Sequence, residues 1–173
     1  DTDVFNTAVG HNAGLSVTTG VSNTLIGALA GDALTTGGEN VAVGTAALTS
    51  DTLGSHTTAI GRGALQVQNF TTATDTQSVG VGFQAGAAVT TGVQNVLVGS
   101  QCGDALTDAD ENVAMGHGTL SSDTLGSKST ALGYNALNAQ NFTTATNSHN
   151  TAVGYYAGVA VTTGAENTLV GAK

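Results

Sequence analysis

The sequence predicts an all-β protein in which short parallel strands stack as the turns of a β-solenoid. A five-residue pattern of the type Asn-(Thr/Val)-(Ala/Leu)-(Val/Ile)-Gly recurs ten times, and its last residue is glycine in every copy. Only 9% of the residues are charged, far below the roughly 25% of an average globular domain. β-Branched threonine and bend-forming glycine suit stacked strands, so a repeat architecture is favoured over an ordinary globular domain.

The repeats are regular in length and nested in a longer period. They begin at residues 6, 23, 40, 57, 78, 95, 112, 129, 150 and 167, which gives units of 17 residues except for two units of 21. Four units form a super-repeat of 72 residues: 6–77 and 78–149 are identical at 41 of 72 positions, and 150–173 begin a third. We number positions from the first residue of each unit and expect residues 1–173 to be one solenoid segment of a longer array.

Each position of the unit predicts a local structure. A unit holds two short strands and two bends, and it is too small to be stable unless it stacks on its neighbours. At ~4.8 Å per turn the stack is roughly 45–50 Å long, and its Asn column can form hydrogen-bonded ladders. The invariant Gly at position 5 indicates positive φ or very close packing. Position 8 is mostly alanine, so Cys102, which stands in that column, is predicted to be buried.

The third position of the unit suggests that the chain associates with itself. Positions 2 and 4 of a strand share one face, and position 3 lies on the other. No residue of the third column is polar, and strands that are apolar on both faces are normally covered on both. One side is the solenoid interior, and another copy is expected to cover the other side. We therefore predict that Leu25, Leu97 and Leu169 lie in a subunit interface.

At these residues the chain resembles the head repeats of trimeric autotransporter adhesins (the YadA-like head). The matching segments include Asn40–Gly44, Thr57–Gly61 and Asn112–Gly116, and the longer form at Asn6–Gly14 and Asn150–Gly158 resembles repeats of phage tail fibres. The resemblance implies a left-handed parallel β-roll with about ten 17-residue turns, assembled as a homotrimer. It also implies a structural or adhesive rod of an extracellular fibre, on a virion or a bacterial surface. The 17- and 21-residue spacing departs from the shorter adhesin unit.

Other architectures and functions fit parts of the sequence. A triangular left-handed β-helix of hexapeptides would place apolar residues six apart, as at Val9 and Leu15, but Thr49 and Ser55 break this spacing. A self-assembling extracellular filament without a receptor is an alternative function. Ice binding is a weaker one, because the paired threonines of each unit are adjacent and point to opposite sides.

Composition argues against several classes of function. A net charge of −9 with three basic residues leaves no basic patch to neutralise phosphates, so nucleic acid is not expected as a partner. No apolar run approaches the ~20 residues of a membrane span. The four histidines do not converge, and the acids of residues 104–111 match no calcium-loop spacing. We therefore expect no catalytic activity, no metal and no cofactor.

Two groups of aromatic residues are candidates for contact with a host-surface glycan or protein. Phe70 and Phe142 lie in the near-identical segments that contain the four-residue insertion of the long units, and loops on a rigid scaffold commonly carry binding. Their alternative role, which we favour, is to plug a widened turn. Tyr134, Tyr155 and Tyr156 form the second group, on which a sugar ring could stack, and a stack that only stabilises the rod is the favoured alternative there too.

Overall fold

Each repeat forms one three-residue strand at positions 2 to 4, and these strands stack in parallel. A computed structural model describes residues 4–173, and no helix occurs among them. The strands are β1 (Thr7–Val9), β2 (Thr24–Ile26), β3 (Val41–Val43), β4 (Gly54–Ser55), β5 (Thr58–Ile60), β6 (Thr74–Asp75), β7 (Val79–Val81), β8 (Val96–Val98), β9 (Val113–Met115), β10 (Gly126–Ser127), β11 (Thr130–Leu132), β12 (Thr146–Asn147), β13 (Thr151–Val153) and β14 (Thr168–Val170).

The three-residue strands form one sheet of ten, in the order β1-β2-β3-β5-β7-β8-β9-β11-β13-β14. Like positions pair throughout, as Ala42 does with Ala59. The register also holds across the long units, where Thr58 pairs with Val79 despite the four extra residues. The sequence prediction of a parallel β-solenoid with about ten turns of 17 residues is therefore confirmed.

The sequence predicted a second strand in every unit, but in the part of the chain that the structure describes only four units have one. Within residues 4–173 it is formed only where a long unit meets the unit before it, as the pairs β4–β6 and β10–β12. Elsewhere the turns remain linked by single backbone hydrogen bonds, such as Thr18 N to Thr35 O at 2.9 Å. A triangular β-helix would carry three continuous sheets, whereas the described residues carry one, so the hexapeptide alternative is not supported.

The core is built from the side chains at positions 3 and 9 of the units. A leucine at one of these positions accompanies a small residue at the other. Position 3 points inward and carries Leu25 and Leu97 where position 9 of the same turn is glycine, and the side chain of Leu25 fills the space beside Gly31. Where position 3 is alanine in the third and fourth units, position 9 is leucine instead, as at Leu48, which is fully buried. Leu48 adopts φ 53°. The left-handed conformation costs roughly 1–2 kcal/mol, and burial of a leucine contributes about 1.5–3 kcal/mol, so burial offsets the strain.

Glycine at position 5 satisfies two constraints at once, although the sequence predicted only that one or the other would apply. All ten of these glycines have φ between 129° and 143°. A Cβ atom on Gly44 would lie 2.6 Å from the carbonyl carbon and oxygen of Gly61 in the next turn. Since real Cβ atoms do not approach backbone that closely, any side chain here would force the turns apart.

The asparagines at position 1 form the predicted ladder, but through the backbone. In Asn40 the side-chain Oδ1 accepts from the backbone N–H of Thr57 at 2.9 Å, which links one turn to the next. Its Nδ2 donates to the carbonyl of Gly54 at 2.9 Å, which closes its own turn. The same pair of contacts recurs at Asn23 and Asn112. One buried asparagine side chain thus makes two hydrogen bonds, one that closes its own turn and one that fixes the spacing to the next turn.

Candidate functional site

The outward face of the ten-stranded sheet is an uncharged strip of threonine and apolar side chains that no part of residues 4–173 covers. Positions 2 and 4 of the strands point outward and carry only Thr, Val, Ile, Leu and Met, without a charge in any of the ten units. The side chains are half-buried or exposed; Ile60 and Met115 are 38% and 49% exposed. At ~4.8 Å per turn the strip is about 48 Å long. A parallel sheet with one open apolar face is unusual, and such strips mark interaction surfaces.

The predicted interface residues lie on the opposite side of the strand, and that prediction needs correction. Leu25 and Leu97 are 1% and 0% exposed and belong to the core of the single chain, and Leu169 packs against that core. The three side chains fill the space beside glycines at position 9 (Gly31, Gly103 and Gly158), and the full burial of Leu25 and Leu97 leaves those two no surface for a second copy. The inward and outward faces were exchanged in the sequence prediction, because both are apolar and only the alternation of the strand separates them. The surface available for association is therefore the strip of positions 2 and 4.

The long turns bury their phenylalanines. Phe70 and Phe142 are each 6% exposed, whereas Thr71, Thr72 and Ala73 at the tip of the first long turn are exposed. The ring of Phe142 packs against Gly126, where a Cβ atom would lie 2.8 Å from the ring. The structure thus buries both rings, as the favoured plug requires, so the accessible part of these turns includes the tip residues and not the phenylalanine rings.

A buried polar network lies beneath each plug, and sequence reasoning missed it. Asp123 is fully buried and its Oδ1 accepts from the backbone N–H groups of Gly126 at 3.1 Å and Phe142 at 2.9 Å. Its Oδ2 accepts from Gln140 Nε2 at 2.5 Å, and Gln140 also donates to Ser129 Oγ. The signal was present in the sequence: position 12 is Val or Leu in most units, but Asp and Gln in the third and fourth units of each super-repeat.

The first super-repeat carries the same network with different details. Asp51 accepts from Gly54 and Gln68 at 3.0 and 2.8 Å. Gln68 Nε2 also donates to the hydroxyl of Thr57, at 3.1 Å. Within residues 4–173 the donors to the two aspartates are backbone N–H groups and glutamine amides, and no lysine or arginine side chain is among them. The network fixes the entry and exit of the long turn and is a structural element.

The tyrosines form a continuous stack. The sequence predicted the group of Tyr134, Tyr155 and Tyr156 but not that His117 would extend it. The rings of Tyr134 and Tyr155 stack with centroids 5.5 Å apart, and His117 extends the stack on the other side of Tyr134 at 5.4 Å. Tyr156 packs edge-on against both tyrosines. Both faces of Tyr134 are therefore occupied by neighbouring rings. A sugar ring stacks on an aromatic face, and both faces of Tyr134 are already covered. The stack therefore presents ring edges and hydroxyl groups to solvent rather than a flat platform for a sugar.

Several of the acids, and His56, make contacts between turns. His56 lies between Glu39 and Asp75, with nitrogen–oxygen distances of 3.2 and 3.1 Å, on an exposed flank. Asp108 and Asp110 accept from Thr91 and from the backbone of Val93. Within residues 4–173 no group of three His, Cys, Asp or Glu side chains is arranged to hold a metal ion.

Cys102 occupies the alanine column as expected. Its side chain is fully buried, and burial raises the pKa of the thiol to about 12. Its Sγ lies 3.2 Å from the carbonyl oxygen of Ala114. A thiol with such a pKa is not a nucleophile at neutral pH, so the residue fills space in the core.

The regular threonine column at position 13 uses its hydroxyl donors internally. Thr18 Oγ1 donates to the carbonyl of Thr35 at 3.1 Å, and Thr35 repeats the contact with Thr52 at 3.0 Å. These hydroxyls are therefore less available to order an external water layer, which weakens the ice-binding alternative. Residues 4–173 also contain no helix that is long and apolar enough to cross a membrane.

The surface that best meets the requirements of a functional site is thus the uncharged outward strip of positions 2 and 4. Comparison with known proteins finds no matching protein-family model, no similar curated protein and no similar solved structure.

Proposed function

We propose that the chain is a structural and adhesive rod of an extracellular fibre in which three copies pack together, as in a phage tail fibre or a bacterial surface adhesin. The rod would project a binding tip and would contribute contacts to a host-surface glycan or protein along its flank. The left-handed roll and the threefold assembly come from the resemblance of the strand motifs to such fibres. The observation that carries the proposal is the uncovered strip of positions 2 and 4.

A second copy of the chain is the partner that fits this strip best. The strip repeats its side chains every ~4.8 Å over ten turns, so a partner must repeat with the same period to pack along its whole length. The strip of another copy does so and is also free of charge, which avoids the cost of burying an unpaired ion. Three strips facing a common axis would each be covered, and the fibre would have no exposed apolar stripe.

The adhesive part of the proposal rests on what remains outside such an assembly. Thr71, Thr72 and Ala73 and their counterparts in the second long turn are exposed, and rigid scaffolds commonly present ligands on loops of this kind. The two tips lie four turns apart, about 19 Å along the rod. Repeated weak contacts at this spacing would act together, since linked sites bind as one multivalent surface.

The assembly is tested by placing a charge in the middle of the strip. Val98→Glu would bury an unpaired carboxylate in the interface, so we expect the fibre to dissociate to folded monomers of 16.9 kDa, measured by light scattering, with an unchanged circular-dichroism spectrum. Thr72→Glu adds the same charge at an exposed tip and is expected to leave the mass at three chains. A wild-type chain that remains a folded monomer at micromolar concentration would contradict the proposal, as would a Val98→Glu variant that still assembles.

A further inference from the structure

One buried acceptor in the first long turn has no partner, although its counterpart in the second super-repeat has one. Gln68 is fully buried, and its Oε1 makes no hydrogen bond with any described residue. The amide nitrogen of the same side chain is satisfied by Asp51 and Thr57. A buried carbonyl oxygen without a donor is rare in a folded protein, so the surroundings of Gln68 Oε1 need an explanation.

The second super-repeat shows which donor belongs there. Gln140 is the counterpart of Gln68, and its Oε1 accepts from Asn150 Nδ2 at 2.8 Å. The same Nδ2 donates to the carbonyl of Gly164 at 2.6 Å. One amide group thus satisfies two acceptors, a glutamine side chain beneath the plug and the carbonyl that closes the following turn.

In the first super-repeat the position of Asn150 is taken by Ser78. Every other 17-residue unit with a closing carbonyl begins with asparagine, which donates to the carbonyl fourteen residues later; the pairs are Asn6–Gly20, Asn23–Gly37, Asn40–Gly54, Asn95–Ala109, Asn112–Gly126 and Asn150–Gly164. Ser78 has no amide for Gly92. Its hydroxyl instead lies 3.4 Å from the carbonyl of Thr76 and accepts from the backbone N–H of Asn95 at 3.3 Å.

We propose that an internal water molecule takes the place of the missing amide and donates one hydrogen bond to Gln68 Oε1 and the other to the carbonyl of Gly92. Serine lacks the carboxamide of asparagine, and the space of that group is about the size of one water molecule. Buried waters typically make two to four hydrogen bonds to otherwise unsatisfied polar groups, and the two acceptors provide two of them. The site is a fixed hydration position of the rod interior.

A neutral donor fits this site better than a cation. The nearest carboxylate, Asp51, is already satisfied by Gly54 N and Gln68 Nε2, and no three metal-binding side chains meet anywhere in residues 4–173. Hard cations require about six oxygen ligands, whereas the second super-repeat fills the same space with a neutral amide that gives two hydrogen bonds. Water provides the same two donors.

The exchange of the two residues between super-repeats tests the inference. In a crystal structure of the wild-type protein at about 1.5 Å resolution, we expect ordered density within hydrogen-bond distance of Gln68 Oε1 and the Gly92 carbonyl. In Ser78→Asn the new amide should occupy that density and raise the melting temperature by about 2 °C, because it releases an ordered water. Asn150→Ser should create the matching water between Gln140 Oε1 and the Gly164 carbonyl and lower the melting temperature.

The possible results distinguish a bound water from a bound cation and from an empty site. Absence of density at the wild-type site, or a Ser78→Asn variant whose new amide avoids Gln68, would overturn the inference. A melting temperature that depends on sodium or potassium rather than choline chloride, with the dependence removed by Ser78→Asn, would show a cation instead of water. None of these results depends on whether the chain assembles into a fibre.

Discussion

At the scale of single residues, the glycine at position 5 shows how two independent constraints select one amino acid. The backbone there has φ near 134°, which L side chains rarely adopt, and the next turn approaches to within 2.6 Å of a hypothetical Cβ atom. Either constraint alone could be relaxed by a small local shift. Together they couple the bend of a turn to the spacing between turns, so every unit keeps the glycine.

Gly44→Ala is therefore expected to destabilise the protein by about 3 kcal/mol or more, the range of backbone strain combined with overpacking. The free energy of unfolding in urea measures the effect. Gly164→Ala is the matched control, because Gly164 lacks the strained φ and its nearest neighbour is a flexible amide at 3.1 Å; we expect it to cost less than about 1 kcal/mol. Equal losses in the two variants would show that the close approach of Gly44 and Gly61 is not important.

Two acidic side chains of the rod, Asp104 and Asp123, differ in the partners of their carboxyl groups. Burial raises the pKa of Asp104, whose Oδ1 has no partner among the described residues, and the charge of His117 opposes that shift. Asp123, in contrast, is buried more deeply but accepts from two backbone N–H groups and a glutamine amide. Buried carboxyl oxygens therefore occur in this stack both with several donors, as in Asp123, and without one, as at Oδ1 of Asp104.

At the scale of structural elements, the long turn is held by its polar network, and reversal of one donor–acceptor pair tests this. Asp123→Asn places an amide against Gln140 Nε2, so two donors face each other, and we expect a loss of about 2 kcal/mol in the free energy of unfolding. Adding Gln140→Glu restores an acceptor opposite the new amide, and most of the loss should be recovered.

The control for this cycle is Asp75→Asn in the first long turn. The second super-repeat already has Asn147 there, and Asp75 is exposed, so a change below about 0.5 kcal/mol is expected. Losses that simply add in the Asp123 and Gln140 double variant would show that the two side chains do not act as a pair.

The parts that the sequence predicted correctly were those with strict periodicity. Spacing alone defined the ten turns and the glycine column, because stacking copies each local choice ten times. The sequence did not separate the two faces of the strand, since Leu25 at position 3 and Ile26 at position 4 are equally apolar. The pattern of positions 3 and 9 would have distinguished the inward face from the outward face. Leu at position 3 always accompanies glycine at position 9 in the same complete turn, and this pairing indicates that the two positions share the interior.

The polar network was missed for a different physical reason. Asp51 and Gln68 are seventeen residues apart, and in a solenoid that separation places them in neighbouring turns, where their side chains meet. The second strand was overestimated because threonine and glycine at positions 13 to 15 suit a strand as well as an irregular ladder. There the side chains of Thr18 and Thr35 bond to the next turn's backbone and so support the irregular form.

At the scale of the whole molecule, the interior and exterior of the solenoid divide the proposed roles. The interior holds the compensating Leu and Gly columns, the Asn ladder and the plugs, all of which fix the shape of one chain. The outward strip of the sheet is left for association with other copies. The tips of the long turns and the aromatic stack around Tyr134 are the exposed features that remain for contact with a host surface.

The last prediction separates the shaft from the adhesive surface within the long turns. Phe142→Ala should remove a plug that is only 6% exposed, and truncation of a buried phenylalanine costs about 3–5 kcal/mol. The corresponding fall in melting temperature is roughly 6 to 20 °C. Because the ring is inside the turn, binding of the labelled protein to a panel of bacterial and animal cells should be unchanged below that temperature, and Phe70→Ala should behave alike.

Glutamate substitutions at the exposed tips provide the opposite test. Thr72→Glu and its counterpart Thr144→Glu alter only the accessible part of the turns, so the melting temperature should stay within about 2 °C of the wild type. If the tips contact a receptor, cell binding should fall further in the double variant than in either single one, since the two sites lie about 19 Å apart and act multivalently. Unchanged binding in the double variant would remove the long turns from the adhesive surface, and Phe variants that lose binding while keeping their melting temperature would show that the rings contact the receptor rather than plug the turn.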